Sequence, residues 1–166
     1  MTFADLGAGE AIFLDANPFV YHFVSDPLYG AACSQLFQRV ENQEIRGLTS
    51  THVLTEMAHR IMTVEAIGAF AWPVAGIARR LRQHPTLVQQ LAGFHQAVER
   101  VLQSRIQVLT IPVPQVAAGT MLSRQIGLLS NDALIVAVMQ ANGLSKLASS
   151  DQDFDRIPWL ARYEPV

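Results

Sequence analysis

The sequence predicts an α/β fold: a central, mainly parallel sheet of four or five strands, with helices on both faces. Three observations predict it. Short apolar runs such as "AIFLDA" (11–16) and "IQVLTI" (106–111) alternate with longer stretches of helical periodicity. The connections between those runs are long enough for helical crossovers, and such crossovers are right-handed and make neighbouring strands parallel. Finally, Asn17-Pro18, Pro112, Pro114 and Asn142-Gly143 mark boundaries between the periodic segments.

Taken in order, "AIFLDA" reads as a buried strand ending at Asp15, and the Asn17-Pro18 step turns the chain into a helix. Residues 28–43 carry Leu28, Ala32, Leu36, Phe37 and Val40 as a helical stripe that ends in "ENQE". "IRGLTS" (45–50) is a second strand, and Ser50 or Thr51 caps a helix bearing Val53, Leu54, Glu56, Met57 and Ile61. Residues 65–105 read as helical, broken near Trp72-Pro73 and His84-Pro85. "IQVLTI" is the third strand, followed by a helix over 115–126. Ser130 is the expected cap of a buried helix over 133–140, which Asn142-Gly143 stops. "KLAS" (146–149) and "RYEP" (162–165) complete the strands.

The chain has 166 residues, for which one domain spanning 1–166 is the expectation. Half of it is hydrophobic, and 16% is charged, against roughly 25% in ordinary domains. That deficit suggests apolar surface covered by a partner. A net charge of -2 does not advertise nucleic acid through bulk charge, so any such role has to reside in a local site. Eleven of the twelve basic residues are Arg. Cys33 is the only cysteine, which excludes an intramolecular disulfide and a Cys-rich zinc site and fits a reducing cytoplasm. "MTFADLGAGE" does not read as a signal peptide, and no apolar run reaches the roughly 18 residues of a membrane span. The expectation is a soluble cytoplasmic protein with no membrane association.

In a parallel sheet, ligands bind at the carboxyl ends of the strands, near a topological switch point. Asp15 ends the first strand and Asp151 follows the fourth. Glu56 lies on a helix that leaves the same edge, and Asp132 opens another. Four carboxylates brought to one partly dehydrated edge repel one another unless a cation cancels them. Hard divalent ions do so with oxygen ligands, and Mg²⁺ completes its shell with water and substrate phosphate. The chemistry so implied is phosphodiester hydrolysis.

Four motifs, "IFLDAN", "TSTHVLTEMAHR", "LLSNDALIVAVMQANG" and "LASSDQDFDRIPWL", occur in the order and spacing of PIN-domain nucleases. The chain resembles that family from about residue 11 to 166, and within it is most similar to the VapC toxins of toxin–antitoxin pairs. The resemblance implies a PIN-like α/β/α sandwich, with 63–105 as a helical insertion longer than in compact members. It also implies the catalytic set Asp15, Glu56, Asp132 and Asp151. Asp15, Asp132, Asp151 and Asp153 are implied to hold Mg²⁺ or Mn²⁺, with Asn17 and Ser149 as orienting polar residues. RNA is then the substrate, a homodimer the expected assembly, and a small antitoxin the expected partner, covering the crevice and inserting an Arg among the acids.

Other readings stay open on the residues alone. One is a non-catalytic binding module, and another a PIN nuclease with a non-toxin RNA-processing or DNA substrate. An aspartyl phosphatase fits poorly because Asp15-Ala16-Asn17 lacks its Asp-x-Asp, and a phospho-receiver because "GAGEAIFLDA" does not cleanly supply the acidic pair and late Lys of that site. His52 and His59 are expected to pack or face solvent. Arg79, Arg80 and Arg82 are expected on a solvated helix face, and Phe70 and Trp72 in packing. Asp155 is expected at the surface, paired with Arg156.

Overall fold

Five parallel strands stand side by side in the order β3-β2-β1-β4-β5 in the computed structural model, which describes residues 1–166. They are β1 (Ala11–Leu14), β2 (Arg46–Ser50), β3 (Gln107–Leu109), β4 (Lys146–Ala148) and β5 (Ala161–Tyr163). Eight helices fill the connections: α1 (Ala16–Phe23), α2 (Gly30–Glu41), α3 (Thr51–Phe70), α4 (Ile77–Gln83), α5 (Pro85–Val88), α6 (Gly93–Gln103), α7 (Val113–Ile126) and α8 (Ser130–Ala141). Covered faces explain why the central strands read as unbroken apolar runs rather than alternating ones. Ile12, Phe13 and Leu14 are all fully buried, and Phe13 sits between Leu48 of β2 and Leu147 of β4 in the register. Burying one such aromatic ring contributes roughly 1.5–3 kcal/mol.

β1 is the middle strand, so the chain leaves it for β2 on one side and later returns to place β4 on the other. The gap between the carboxyl ends of β1 and β4 is therefore the switch point of the sheet.

Local sequence explains where the helices begin. Asp15 accepts a hydrogen bond from the Ala16 backbone N–H at 2.6 Å and caps α1. Pro18 falls in the first turn, where a missing N–H costs nothing. The Ser50 hydroxyl accepts from the Val53 backbone N–H and caps α3 as expected. α8 differs from expectation. Its first backbone bond runs from the Ala133 N–H to the Leu129 carbonyl, 2.9 Å, so Leu129 holds the cap position and Ser130 is already helical.

The long stretch before β3 breaks at both expected prolines and once more before Gly93. α3 stops at Phe70, with Ala71 in the left-handed region (φ 51°), because Pro73 disfavours helix at Trp72. One apolar cluster of 33 buried residues spans the sheet and the helices on it, whereas Ala66, Leu81 and Leu91 form a separate small one, with Phe70 and Trp72 packed against it. With so little core of its own, the α4–α5 segment depends on α3 and on the start of α6. Glu65 of α3 supplies a tether: its two carboxylate oxygens accept from the Ala92 and Gly93 backbone N–H groups, both at 3.0 Å. α6 has no side-chain cap at its own N-terminus, so Glu65 provides that cap from another helix.

α7 lies directly on α8. A Cβ on Gly119 would meet the Leu134 Cα at 3.1 Å, so this close approach requires glycine. No helix is long and apolar enough to cross a membrane.

Candidate active site

Asp15 lies at the switch point and is only 5% exposed. Its Oδ2 accepts from the Ser149 hydroxyl at 2.7 Å and from Asn17 Nδ2 at 3.0 Å, while Oδ1 takes the Ala16 N–H. Burial pushes its pKa up from 3.8 to about 6. The Ser149 and Ala16 hydrogen bonds pull against that rise, the Glu56 charge adds to it, and the Arg60 charge opposes it.

Ser149, fully buried just past β4, is the hub of the crevice. Besides donating to Asp15, its oxygen accepts from the Asp151 backbone N–H at 3.0 Å and lies 3.4 Å from Asn17 Nδ2. Asp151 then caps the short 3-10 turn Gln152–Arg156, accepting from the Asp153 N–H at 2.9 Å. Crowding of Asp151, Asp153 and Asp155 resolves in three directions. Asp151 turns back to the crevice. Asp153 is held by Arg156 at 2.8 Å, and Asp155 by Arg162 through two bonds of 2.7 and 3.1 Å. The pairing of Asp155 with Arg156 expected from adjacency is thus corrected, because the 3-10 turn points consecutive side chains apart. Arg162, buried along its stem on β5, also donates to the Ser149 carbonyl at 3.2 Å and to Glu164 at 2.9 Å.

Asp132 enters from the first turn of α8, where a carboxylate complements the helix dipole. Its pKa is nevertheless pushed up from 3.8 to about 6, first by burial and then by the charges of Asp151, Asp15, Glu56 and Asp153. Asp151, Asp15, Glu56 and Asp153 thus each lie within electrostatic reach of Asp132. Glu56 lies on α3, with Oε1 3.8 Å from Arg60 Nη1.

The crevice therefore gathers Asp15, Asn17, Glu56, Asp132, Ser149 and Asp151, with Asp153 at its rim under the grip of Arg156. No three of these acids are drawn tightly enough around one point to enclose an ion as they stand. The donors suit a hard divalent cation all the same. All are oxygens, and Asp132, raised first by burial, is also crowded by neighbouring carboxylates whose charge a cation would cancel. The open side of the set would take water or phosphate.

Two residues were not singled out from the sequence. Arg60 donates through Nη1 to Asn17 Oδ1 and so enters the crevice network. Its spacing of four from Glu56 in "TEMAHR" was the available signal. Arg162 gave no local signal, because its partners come together only through the β4–β5 pairing. His52 is half-buried, with Nε2 shielded and unpartnered, and His59 is exposed.

The model of the PIN domain matches residues 12–160. Ribonuclease VapC2 of Methanocaldococcus jannaschii is 26% identical over 152 residues, covering 90% of both chains. Among solved structures, the fold is shared with Mycobacterium tuberculosis VapC20, described as a sarcin–ricin-loop-cleaving toxin (TM-score 0.61, 18% identity, 89% of this chain and 95% of that one). It is shared as well with VapBC2 from Rickettsia felis, solved on a DNA fragment from its promoter (TM-score 0.59, 17% identity, 94% and 99% covered). The family match spans four of the five strands and every crevice acid, and the chain belongs to the PIN domain family.

Proposed function

We propose that this chain is a divalent-ion-dependent endoribonuclease and the toxin of a toxin–antitoxin pair. The observation that carries the reading is the crevice itself. Asp15 and Asp151 flank the switch point, joined through Ser149, with Asp132 and Glu56 within electrostatic reach. Family membership and the 26% identity to a ribonuclease along 90% of both chains support the same chemistry.

Asp15, Asp132 and Asp151 would hold Mg²⁺ or Mn²⁺, with Asp153 close by. A bound ion of that kind lowers the pKa of water and neutralises charge on the phosphoryl group in transfer. The protein's own part is orientation. Ser149 and Asn17 hold the Asp15 carboxylate in one rotamer, and Asp151 is fixed by its bonds to the Ser149 hydroxyl and the Asp153 N–H. Glu56, half-exposed and bonded to no backbone group, is free to orient an attacking water as general base. Hydrolysis in that geometry leaves a 5′-phosphate and a 3′-hydroxyl.

A small antitoxin and a homodimer belong to this reading. The R. felis structure that shares the fold is a VapBC assembly, and Val113, Val116 and Met121 leave α7 with exposed apolar side chains of the kind an assembly covers.

Antitoxin-free protein incubated with RNA and Mg²⁺ or Mn²⁺ tests the proposal. Cleavage is expected, and Asp15→Asn, Asp132→Asn and Asp151→Asn should each abolish it while circular dichroism stays native. Cleavage unchanged from wild type in all three variants would refute the mechanism.

A further inference from the structure

α3 sets Glu56 and Arg60 one turn apart on a single face. The obvious role for Arg60 is an ion pair with Glu56, but 3.8 Å between half-exposed groups is a weak one. The firmer contact is with Asn17, whose Oδ1 accepts from Arg60 Nη1. The same Asn17 amide gives its Nδ2 to Asp15 Oδ2 at 3.0 Å. Arg60, Asn17, Asp15, Ser149 and Asp151 thus form one continuous hydrogen-bonded chain across the crevice.

This contact occupies one guanidinium nitrogen. A guanidinium carries five N–H donors in a fixed plane, and Arg60 Nε and Nη2 have no partner in the protein. The side chain remains 39% exposed, and neither unpartnered nitrogen is sealed away from solvent. A planar pair of donors beside a site that must admit a polyanion matches two oxygens of a phosphate. The surrounding acids repel RNA, and Arg60 is the only basic side chain bonded into the Asp15–Ser149 network on the α3 side.

We propose that Arg60 grips a backbone phosphate of the RNA next to the scissile one through its Nε–Nη2 edge, with Asn17 aiming the guanidinium. The proposal rests on the nuclease reading above and assigns the chain's own arginine a substrate-binding role. Charge alone would not suffice, because a lysine ammonium at this position reaches the phosphate as a point and lacks the fork.

Steady-state cleavage of a labelled single-stranded RNA in Mg²⁺, at several salt concentrations, tests this with Arg60→Gln and Arg60→Lys. Arg60→Gln should lower kcat/KM about 10- to 100-fold, as expected for loss of charge-assisted hydrogen bonds. It should also flatten the dependence of log kcat/KM on log salt by about 0.7, the contribution of one phosphate contact on a single strand. Arg60→Lys should keep the slope and recover only part of the rate. Wild-type cleavage with an unchanged slope in Arg60→Gln overturns the inference and leaves the nuclease reading intact. So does a lowered rate at an unchanged slope, which marks a purely structural role. If Arg60→Gln fails to fold, full activity in Arg60→Lys overturns the fork. Absence of wild-type cleavage overturns both readings together.

Discussion

The Ser149 hydroxyl donates to the Asp15 carboxylate at 2.7 Å across 134 positions of sequence. This one bond ties the carboxyl end of β1 to that of β4 and closes the crevice at the switch point. Ser149→Ala removes it and leaves the Asp151 N–H and Asn17 Nδ2 without a shared acceptor. The expected cost is about 1–3 kcal/mol of stability, measured by chemical denaturation. Because this hydrogen bond lowers the Asp15 pKa, the pH at which activity appears should also move upward.

Cleavage should rise with pH through about 6, since Asp15 and Asp132 are both pushed up to about 6 and bind an ion only when ionised. Protons and divalent ions compete for the same oxygens. Raising Mn²⁺ from micromolar to millimolar should therefore move the acidic limb of the pH–rate profile to lower pH. A limb that ignores ion concentration would disconnect these carboxylates from the metal.

Burial of Asp132, together with the charges around it, bears on stability. Its folded pKa lies above the 3.8 of a free carboxyl, so the folded state holds its proton more tightly than the unfolded chain does. Stability contributed by that proton is fully present below about pH 4 and is lost as pH rises through about 6. Asp132→Asn should thus raise Tm at pH 8 in chelator. After discounting for partial exposure, a gain of about 1 kcal/mol corresponds to roughly 2–4 °C in a chain of this size. The gain should vanish near pH 4, and saturating Mg²⁺ should reverse it by stabilising the wild type alone. Differential scanning calorimetry at the two pH values is the check.

Glu65 anchors the helical segment from outside it. Glu65→Ala strips the Ala92 and Gly93 N–H groups of their only acceptors at the start of α6. A loss of about 1–2 kcal/mol is expected, as for removal of an N-cap. Hydrogen exchange should localise the loosening to residues 74–95, with the sheet unchanged. Uniform exchange across the chain would show that the segment and the sheet unfold as one unit.

Much of the candidate site is legible in the sequence because its acids sit near the ends of strongly patterned segments. An apolar run that stops at Asp15, or an acid in the first turn of a buried helix such as Asp132, is written locally. The Ser130 cap was misread because Ser is a favoured cap residue, yet the extended backbone at Leu129 decides the position. Asp155 was paired with the wrong arginine for a similar reason: proximity along a 3-10 turn does not give direction in space.

The succession of strands and helices along the chain, and the acids that end β1, follow β4 and sit near the starts of α3 and α8, were determined by the sequence itself, because side-chain periodicity and turn chemistry act over a few residues. Tertiary structure alone decided which groups share a proton or a charge. Asp15 meets Ser149, and Arg162 meets both Asp155 and the Ser149 carbonyl, only once β4 pairs with β1 and β5, and Arg60 meets Asn17 only once α3 packs on α1. Burial and mutual repulsion then raise the Asp15 and Asp132 pKa values, and neither effect exists until the sheet closes water out of the crevice.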